Sequence, residues 1–394
     1  MNHKEKPAIL GGKPVFKEPV PITRPTIGRI GRLKKAFGEI LRTRMITNSD
    51  YVRRFESKLS RHIGVKHAVA LSSCTSGLML IMKALELKGE VIMPSFTFHA
   101  TAHAAVWNGL KPVFVDCNID TYNIDPDEVE RSITSRTSAI VAVHIFGNPP
   151  DIGALTKIAK RHGLKLVFDA AHGLGSAYKG KRVGCFGDAE SFSLSPTKLL
   201  TTGEGGVVTT NNDRIANFVR MGRTYGDPGS YDPAFSGLSS RMTEFSALLG
   251  IEGLDLLEEN ARRRNRLAGL YKELLSGIPG LSFQKIDKSL RSSYKDFSVL
   301  VDKDMFGLSR DLLFDSLAAE NISAKKYFYP PVHRQRAFAS FGQAGKKLKN
   351  TEILSDNSLS LPLYSDMPES DVSKICLAVR RSHRYAREIS KAER

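Results

Sequence analysis

The chain is poor in the features that would make it a membrane, secreted or metal-stapled protein. Only four cysteines occur (Cys74, Cys117, Cys185, Cys376), far apart and without a C-x-x-C pair. That fits scattered reduced thiols rather than a zinc site or a disulfide framework. No apolar run approaches the roughly 18 residues that a membrane span needs; the longest candidates, such as Ser138–Phe146, are strand-sized. The first residues, MNHKEKPAILGGKPVF, lack a signal-peptide apolar core, so the chain reads as cytoplasmic. Internal repeats and low-complexity segments are missing. Gly173–Gly175 does not extend into G-x-G-x-x-G, because position 178 is Tyr, which argues against simple dinucleotide binding.

What is present is a globular composition: 394 residues, 41% hydrophobic and 25% charged. That length predicts two domains, or one large and one small, with enough core to need no staple. Lys and Arg outnumber Asp and Glu by 58 to 41, a net charge of +17. Such a surplus fits nucleic acid, an acidic membrane surface or a phosphorylated substrate. The basic residues are spread along the chain, apart from one dense tail of Arg380, Arg381, His383, Arg384, Arg387, Lys391 and Arg394. This tail reads first as a solvated helix face and second as a phosphate or partner site. No helix-turn-helix or RNP sequence supports a regulatory or nucleic-acid-binding role, so no nucleic-acid or membrane partner is expected.

From about residue 67, short apolar runs alternate with amphipathic stretches, as βα units do. Strands are predicted at His67–Leu71, Glu90–Met93, Lys111–Val115, Ser138–His144 and Leu164–Phe168. Helices are predicted from Thr75 to about Leu87, at Asp151–His162, and after Asp125-Pro126, where Asp127 and Glu128 suit the helix N-terminus. Near-continuous apolar runs such as Ala139–Val143 imply strands covered on both faces. A long helical pattern runs from Arg241 to about Ser276. Beyond it, Asp296–Val301 is strand-like and Arg310–Glu320 and Ser370–Arg387 are helical. The expected fold is α/β: a large domain with a mainly parallel, helix-covered sheet over residues 1–255, and a smaller C-terminal α+β domain over 256–394.

Four elements of the first domain can carry chemistry together. Ser72-Ser73-Cys74-Thr75-Ser76-Gly77 lies between a strand and a helix, where small residues let backbone N–H groups approach an anion. Phe168-Asp169-Ala170-Ala171-His172 puts a carboxylate where a buried strand runs out, the crevice end of an open α/β sheet. Ser191–Lys198 ends a strand at Pro196 and leads Lys198 into the tight Thr201-Thr202-Gly203-Glu204-Gly205-Gly206 segment. Pro94-Ser95-Phe96-Thr97-Phe98 brings aromatics to another strand end. A lysine amine forms a Schiff base with an aldehyde, and a carboxylate keeps a pyridine nitrogen protonated. Backbone donors hold a phosphate, and an aromatic ring stacks on a planar cofactor. The set fits pyridoxal 5'-phosphate.

With these stretches the chain resembles the DegT/DnrJ/EryC1/StrS family of fold-type-I (aspartate-aminotransferase-like) sugar aminotransferases, from about Gly11 to Tyr364. Further matching stretches are Ile46-Thr47-Asn48 with Phe55-Glu56, Pro112–Asp125, Arg241-Met242-Thr243-Glu244, Tyr329–His333 and Leu359–Pro362. The resemblance implies a transaminase. Lys198 stands as its Schiff-base lysine, Asp169 as partner of the pyridine nitrogen, His172 near the ring's 3-oxygen and Phe98 as the stacking aromatic. It makes Thr75, Ser76 and Ser193 phosphate contacts, and His333 and Glu204 candidate substrate contacts. Three positions depart from the family pattern. Cys74 replaces a Gly of the phosphate loop, and Ser195 replaces a His before Pro-Thr-Lys. Ser239 replaces an Asn that reaches a neighbouring subunit's cofactor phosphate. The implied substrate is a nucleotide-linked keto sugar, aminated with an amino-acid donor, glutamate, by a homodimer; its two phosphates suit the basic surface. The alternative is a cyclitol ketone of the scyllo-inosose type, and Leu10-Gly11-Gly12-Lys13-Pro14 does not separate the two.

Overall fold

A computed structural model describes residues 5–341 and 347–392. Its central sheet has seven strands in the spatial order His67–Leu71, Gly206–Thr210, Ala189–Ser193, Lys165–Asp169, Thr137–Val143, Glu90–Pro94 and Lys111–Val115. Only Gly206–Thr210 runs against its two neighbours; every other pairing is parallel. The sheet is therefore mainly parallel, as the buried runs predict. Alternate residues of one strand serve opposite cores. Val91 and Met93 pack under the helices Cys74–Ala84 and Asp213–Gly222, while Ile92 packs with Ile140, Phe168 and the helix Ile152–His162.

Capping side chains set the helix starts. Ser73, Asp151 and Asn212 each accept a backbone N–H from the first turn, satisfying donors that helix termini leave open. The long helix begins at Glu244 rather than Arg241, because Thr243 caps it through the N–H of Ser246 at 3.0 Å. Glu244 in turn caps a neighbour: its carboxylate accepts the backbone N–H groups of Ser49, Tyr51 and Val52, opening the helix Asp50–Ile63.

The smaller domain is built on an antiparallel sheet with Phe297–Val301 between Leu281–Phe283 and Ser358–Leu361. Helices Arg310–Ala319 and Glu369–Arg384 cover it. The boundary expected at 255/256 falls inside the 32-residue helix Glu244–Leu275. Its first half packs Ala247, Leu254 and Leu257 into the large domain, and its second half packs Leu267, Tyr271 and Leu275 into the small one. The N-terminal segment also differs from the sequence assignment, since Phe16 and Val20 join the small-domain core. Glu320 holds this segment by accepting the N–H of Ala8 at 3.0 Å and of Val15 at 2.7 Å.

The basic tail is partly a packing device. Arg381 is buried and paired with Glu5, and Arg380 Nε donates to the Leu274 carbonyl at 2.9 Å. Arg384, Arg387 and Lys391 are solvated, and Arg394 lies outside the described residues. Among the described residues no helix is long and apolar enough to cross a membrane.

Candidate active site

Six of the seven strands point the same way, so their carboxyl ends open onto one crevice, the usual ligand site of such sheets. Leu71 runs into Ser72-Ser73, Pro94 into the Phe98 turn, the strand Lys165–Asp169 ends on the carboxylate, and Ser193 leads to Lys198.

Asp169 is 4% exposed. Its Oδ2 accepts the Thr101 hydroxyl at 2.7 Å, and its Oδ1 accepts the Ala171 N–H at 3.0 Å. The same Thr101 hydroxyl lies 3.2 Å from the Phe98 carbonyl, which ties the Phe98 turn to the carboxylate. Phe98 itself is half exposed, an open aromatic face beside the buried acid. Cys74, a departure from the family pattern, turns its thiol inward, 3.2 Å from the Ser191 carbonyl and 3.9 Å from Asp169 Oδ1. Burial, and then the Asp169 charge, push that thiol's pKa well up, so it stays a neutral thiol.

Lys198 sits on a loop closed by Leu194, whose N–H donates to Gly205 O and whose carbonyl accepts the N–H of Thr202, both at 2.9 Å. Buried Leu199 and Leu200 anchor it. Its amine makes no hydrogen bond among the described residues. Burial, and then the Lys295 cation, lower its pKa to about 8, against the opposing pull of Asp296, Cys74 and Asp169. His172 is buried, stacked with Phe146 and Phe328, and its Nδ1 accepts the Phe146 N–H at 3.2 Å. Burial, and then Lys198, hold its pKa well below the ordinary value. The ring is neutral, and its Nε2–H remains available as a donor.

The small-residue turn forms a cup. The Ser73 hydroxyl accepts the Ser76 N–H at 3.1 Å, and Ser240 contacts both the Ser72 hydroxyl at 2.9 Å and the Ser76 hydroxyl at 2.6 Å. The half-buried Thr75 lies at the helix N-terminus beside them. Gly206 closes the cup's floor: a Cβ there would lie 2.3 Å from the Ser73 carbonyl carbon. Ser193, half-buried at its strand end, stands 3.4 Å from the Ser195 hydroxyl.

The crevice thus gathers Asp169, Lys198, His172, Phe98, Thr75, Ser76 and Ser193. Ser239 is exposed, joined to Thr224 by a strand-like bridge, and its neighbour Ser240 enters the cup instead. Glu204 is exposed. His333 is engaged by Ser95, whose hydroxyl accepts its N–H at 3.0 Å and meets its Nδ1 at 2.6 Å. The sequence reading gives no role to Thr101, Ser240 or Lys295. Thr101 lies three residues past the Pro94–Phe98 stretch and Ser240 between Ser239 and the Arg241–Glu244 stretch, whereas Lys295 carries no local signal.

A helix-covered parallel sheet with a poised amine, a clamped carboxylate and a hydroxyl-lined cup at one edge defines an α/β enzyme built for pyridoxal phosphate chemistry. The chain belongs to the DegT/DnrJ/EryC1/StrS aminotransferase family, whose defining pattern matches residues 30–380. It is 32% identical to the dTDP-4-amino-4,6-dideoxy-D-glucose transaminase of Escherichia coli, covering 90% of this chain and 96% of that one. It is 33% identical to the GDP-perosamine synthase of Caulobacter vibrioides, over 84% and 89% of the two chains. The crystal structure of DesI, solved with its TDP-sugar product, superposes with a TM-score of 0.92 at 36% identity, covering 98% of both chains.

Proposed function

We propose that this aminotransferase holds pyridoxal 5'-phosphate in the crevice and converts the ketone of a nucleotide-linked keto-deoxysugar to an amine, with glutamate as donor. The carrying observation is the Lys198 amine, without a hydrogen bond among the described residues and within reach of the charge of the Thr101-clamped Asp169. The cofactor would supply an aldehyde that takes up and releases the amino group, and a ring that accepts electrons.

The chain's own residues account for the rest. Thr75, Ser76 and Ser193 hold the phosphate at the cup, with Ser239 on the exposed rim where a second copy could reach it. Asp169, fixed by Thr101 and the Ala171 N–H, would keep a proton on the ring nitrogen. His172 Nε2–H would be the donor for the ring's 3-oxygen, and Phe98 would offer its open face to the ring. Lys198 Nζ, half deprotonated at about pH 8, would take the proton from the donor's Cα and return it across the amino nitrogen to the carbon beyond. Glu204 and His333 are assigned to the substrate side, in a cytoplasmic homodimer.

The nucleotide sugars in the names of two relatives, together with the +17 charge, support the substrate class. No observation favours a cyclitol. The test is a panel of nucleotide-linked keto sugars and scyllo-inosose with glutamate, scored by mass for replacement of the ketone oxygen by H and NH₂. Amination of scyllo-inosose alone overturns the substrate assignment. Lys198→Ala should abolish both turnover and the cofactor's colour on the protein, and retained turnover overturns the lysine's role.

A further inference from the structure

Two buried threonines stand in line behind Asp169. Thr97 is 1% exposed and Thr101 fully buried. Their hydroxyls lie 3.2 Å apart, and Thr101 Oγ1 donates to Asp169 Oδ2 at 2.7 Å. Thr101 opens the helix Ala100–Trp107, and its backbone N–H donates to the Phe98 carbonyl at 3.3 Å. One residue therefore grips the carboxylate through its side chain and the Phe98 turn through its backbone.

The protons in this line can be assigned. A threonine hydroxyl has one to give. For Thr101 the acceptors in range are Asp169 Oδ2 and, at 3.2 Å, the Phe98 carbonyl. That carbonyl already receives the Thr101 N–H, and a carboxylate is the stronger acceptor, so the hydroxyl proton goes to Asp169. Among the described residues the Thr97 hydroxyl has Thr101 as its one hydrogen-bond partner, so it donates to Thr101. The chain runs one way, from Thr97 through Thr101 to Asp169. With the Ala171 N–H on Oδ1, Asp169 accepts protein hydrogen bonds on both oxygens. Valine has nearly the same shape and no polar atom to desolvate, so packing alone does not call for two threonines here.

We propose that Thr101, backed by Thr97, is the positioning residue that sets Asp169 against Phe98: the hydroxyl chain holds the carboxylate as an oriented anion, and the Thr101 backbone fixes the turn that carries the aromatic. A chain that only gives protons to the carboxylate suits the partner of a protonated ring nitrogen. Neither threonine acts on the cofactor or the substrate directly.

The inference rests on the reading of Asp169 given above. The full-length chain is loaded with pyridoxal 5'-phosphate labelled with nitrogen-15 in its ring, and the magnetic resonance signal of that nitrogen reports whether it carries a proton. The unaltered protein should give the protonated signal at neutral pH. Thr101→Val should move it toward the unprotonated position, Thr101→Ser should restore it, and Thr97→Val should move it less than Thr101→Val does. Single-turnover amino transfer from glutamate should slow about tenfold in Thr101→Val, the usual cost of one hydrogen bond to a charged group. The half-saturating glutamate concentration should stay within about twofold, because Thr101 does not touch the donor. If Thr101→Val does not fold, as judged by circular dichroism, Thr101→Ala must show the same shift of the nitrogen signal. An unchanged signal in the folded Val or Ala variant, or no recovery in Thr101→Ser, overturns the proposal. Asp169→Asn reports separately on the reading beneath it: a ring nitrogen still protonated in that variant overturns the role of Asp169 itself.

Discussion

His172 shows how one side chain links the crevice to pH. Its ring packs with Phe146 and Phe328 in a three-ring cluster, its Nδ1 is taken by a backbone N–H, and its folded pKa lies well below the ordinary value, first through burial. A depressed folded pKa means that the contribution is present above the unfolded value of about 6.5 and is lost as pH falls below it. His172→Gln should therefore flatten the acid limb of the stability curve between about pH 6.5 and 5, where one such group changes stability by at most about 1.4 kcal/mol per pH unit. Urea melts of both proteins at each pH check this, and parallel acid limbs would refute it. His62, His99 and His333 are also lowered by burial, so the difference between the two curves is the informative quantity. At this scale the sequence singles out Asp169 at a strand end and Lys198 in the loop after Ser193 by residue type and position, and the fold brings both strand ends to one crevice. Thr101 and Ser240 were hidden because serine and threonine are ordinary everywhere; only the fold shows which hydroxyl meets Asp169 and which meets Ser76.

Among the elements, the turn from the first strand into the helix Cys74–Ala84 depends on a backbone approach that only glycine permits. Gly206→Ala would drive a Cβ to within 2.3 Å of the Ser73 carbonyl carbon and 2.4 Å of the Cys74 nitrogen. Overpacking of this kind costs about 1–3 kcal/mol, and here it deforms the cup as well. The variant should melt several degrees lower and bind pyridoxal 5'-phosphate at least about tenfold more weakly, the equivalent of about 1.4 kcal/mol. Absorbance titration with the cofactor measures this, and unchanged affinity would show that the cup does not hold the phosphate. Element positions were largely legible. The strands His67–Leu71 and Lys111–Val115 fall where their apolar runs place them, and Ile152–His162 starts after its Asp151 cap. Ends were less legible when the partner is distant. The helix Asp50–Ile63 is opened by Glu244, nearly two hundred residues away, and no local pattern announces that.

Across the whole molecule, the expected two-domain division misses how the chain weaves between the cores. Hydrophobic period marks an element's buried face but not which core receives it. Phe16 and Val20 therefore read as part of the first domain and pack in the second. Glu320 fastens that crossing from a fully buried position. Glu320→Ala should cost about 2–4 kcal/mol, since two backbone donors lose a charged acceptor. It should also speed hydrogen exchange over residues 8–22 before any change near Lys198. Uniform loss of protection would contradict this.

The helix Glu244–Leu275 bears on how the protein can be dissected. It lends one end to each core, so a cut at any point along it leaves an oily stripe facing water on both products. Lys198 lies before that helix and Lys295 after it. Neither fragment would carry the two amines together, and the crevice can be studied only in the uncut polypeptide.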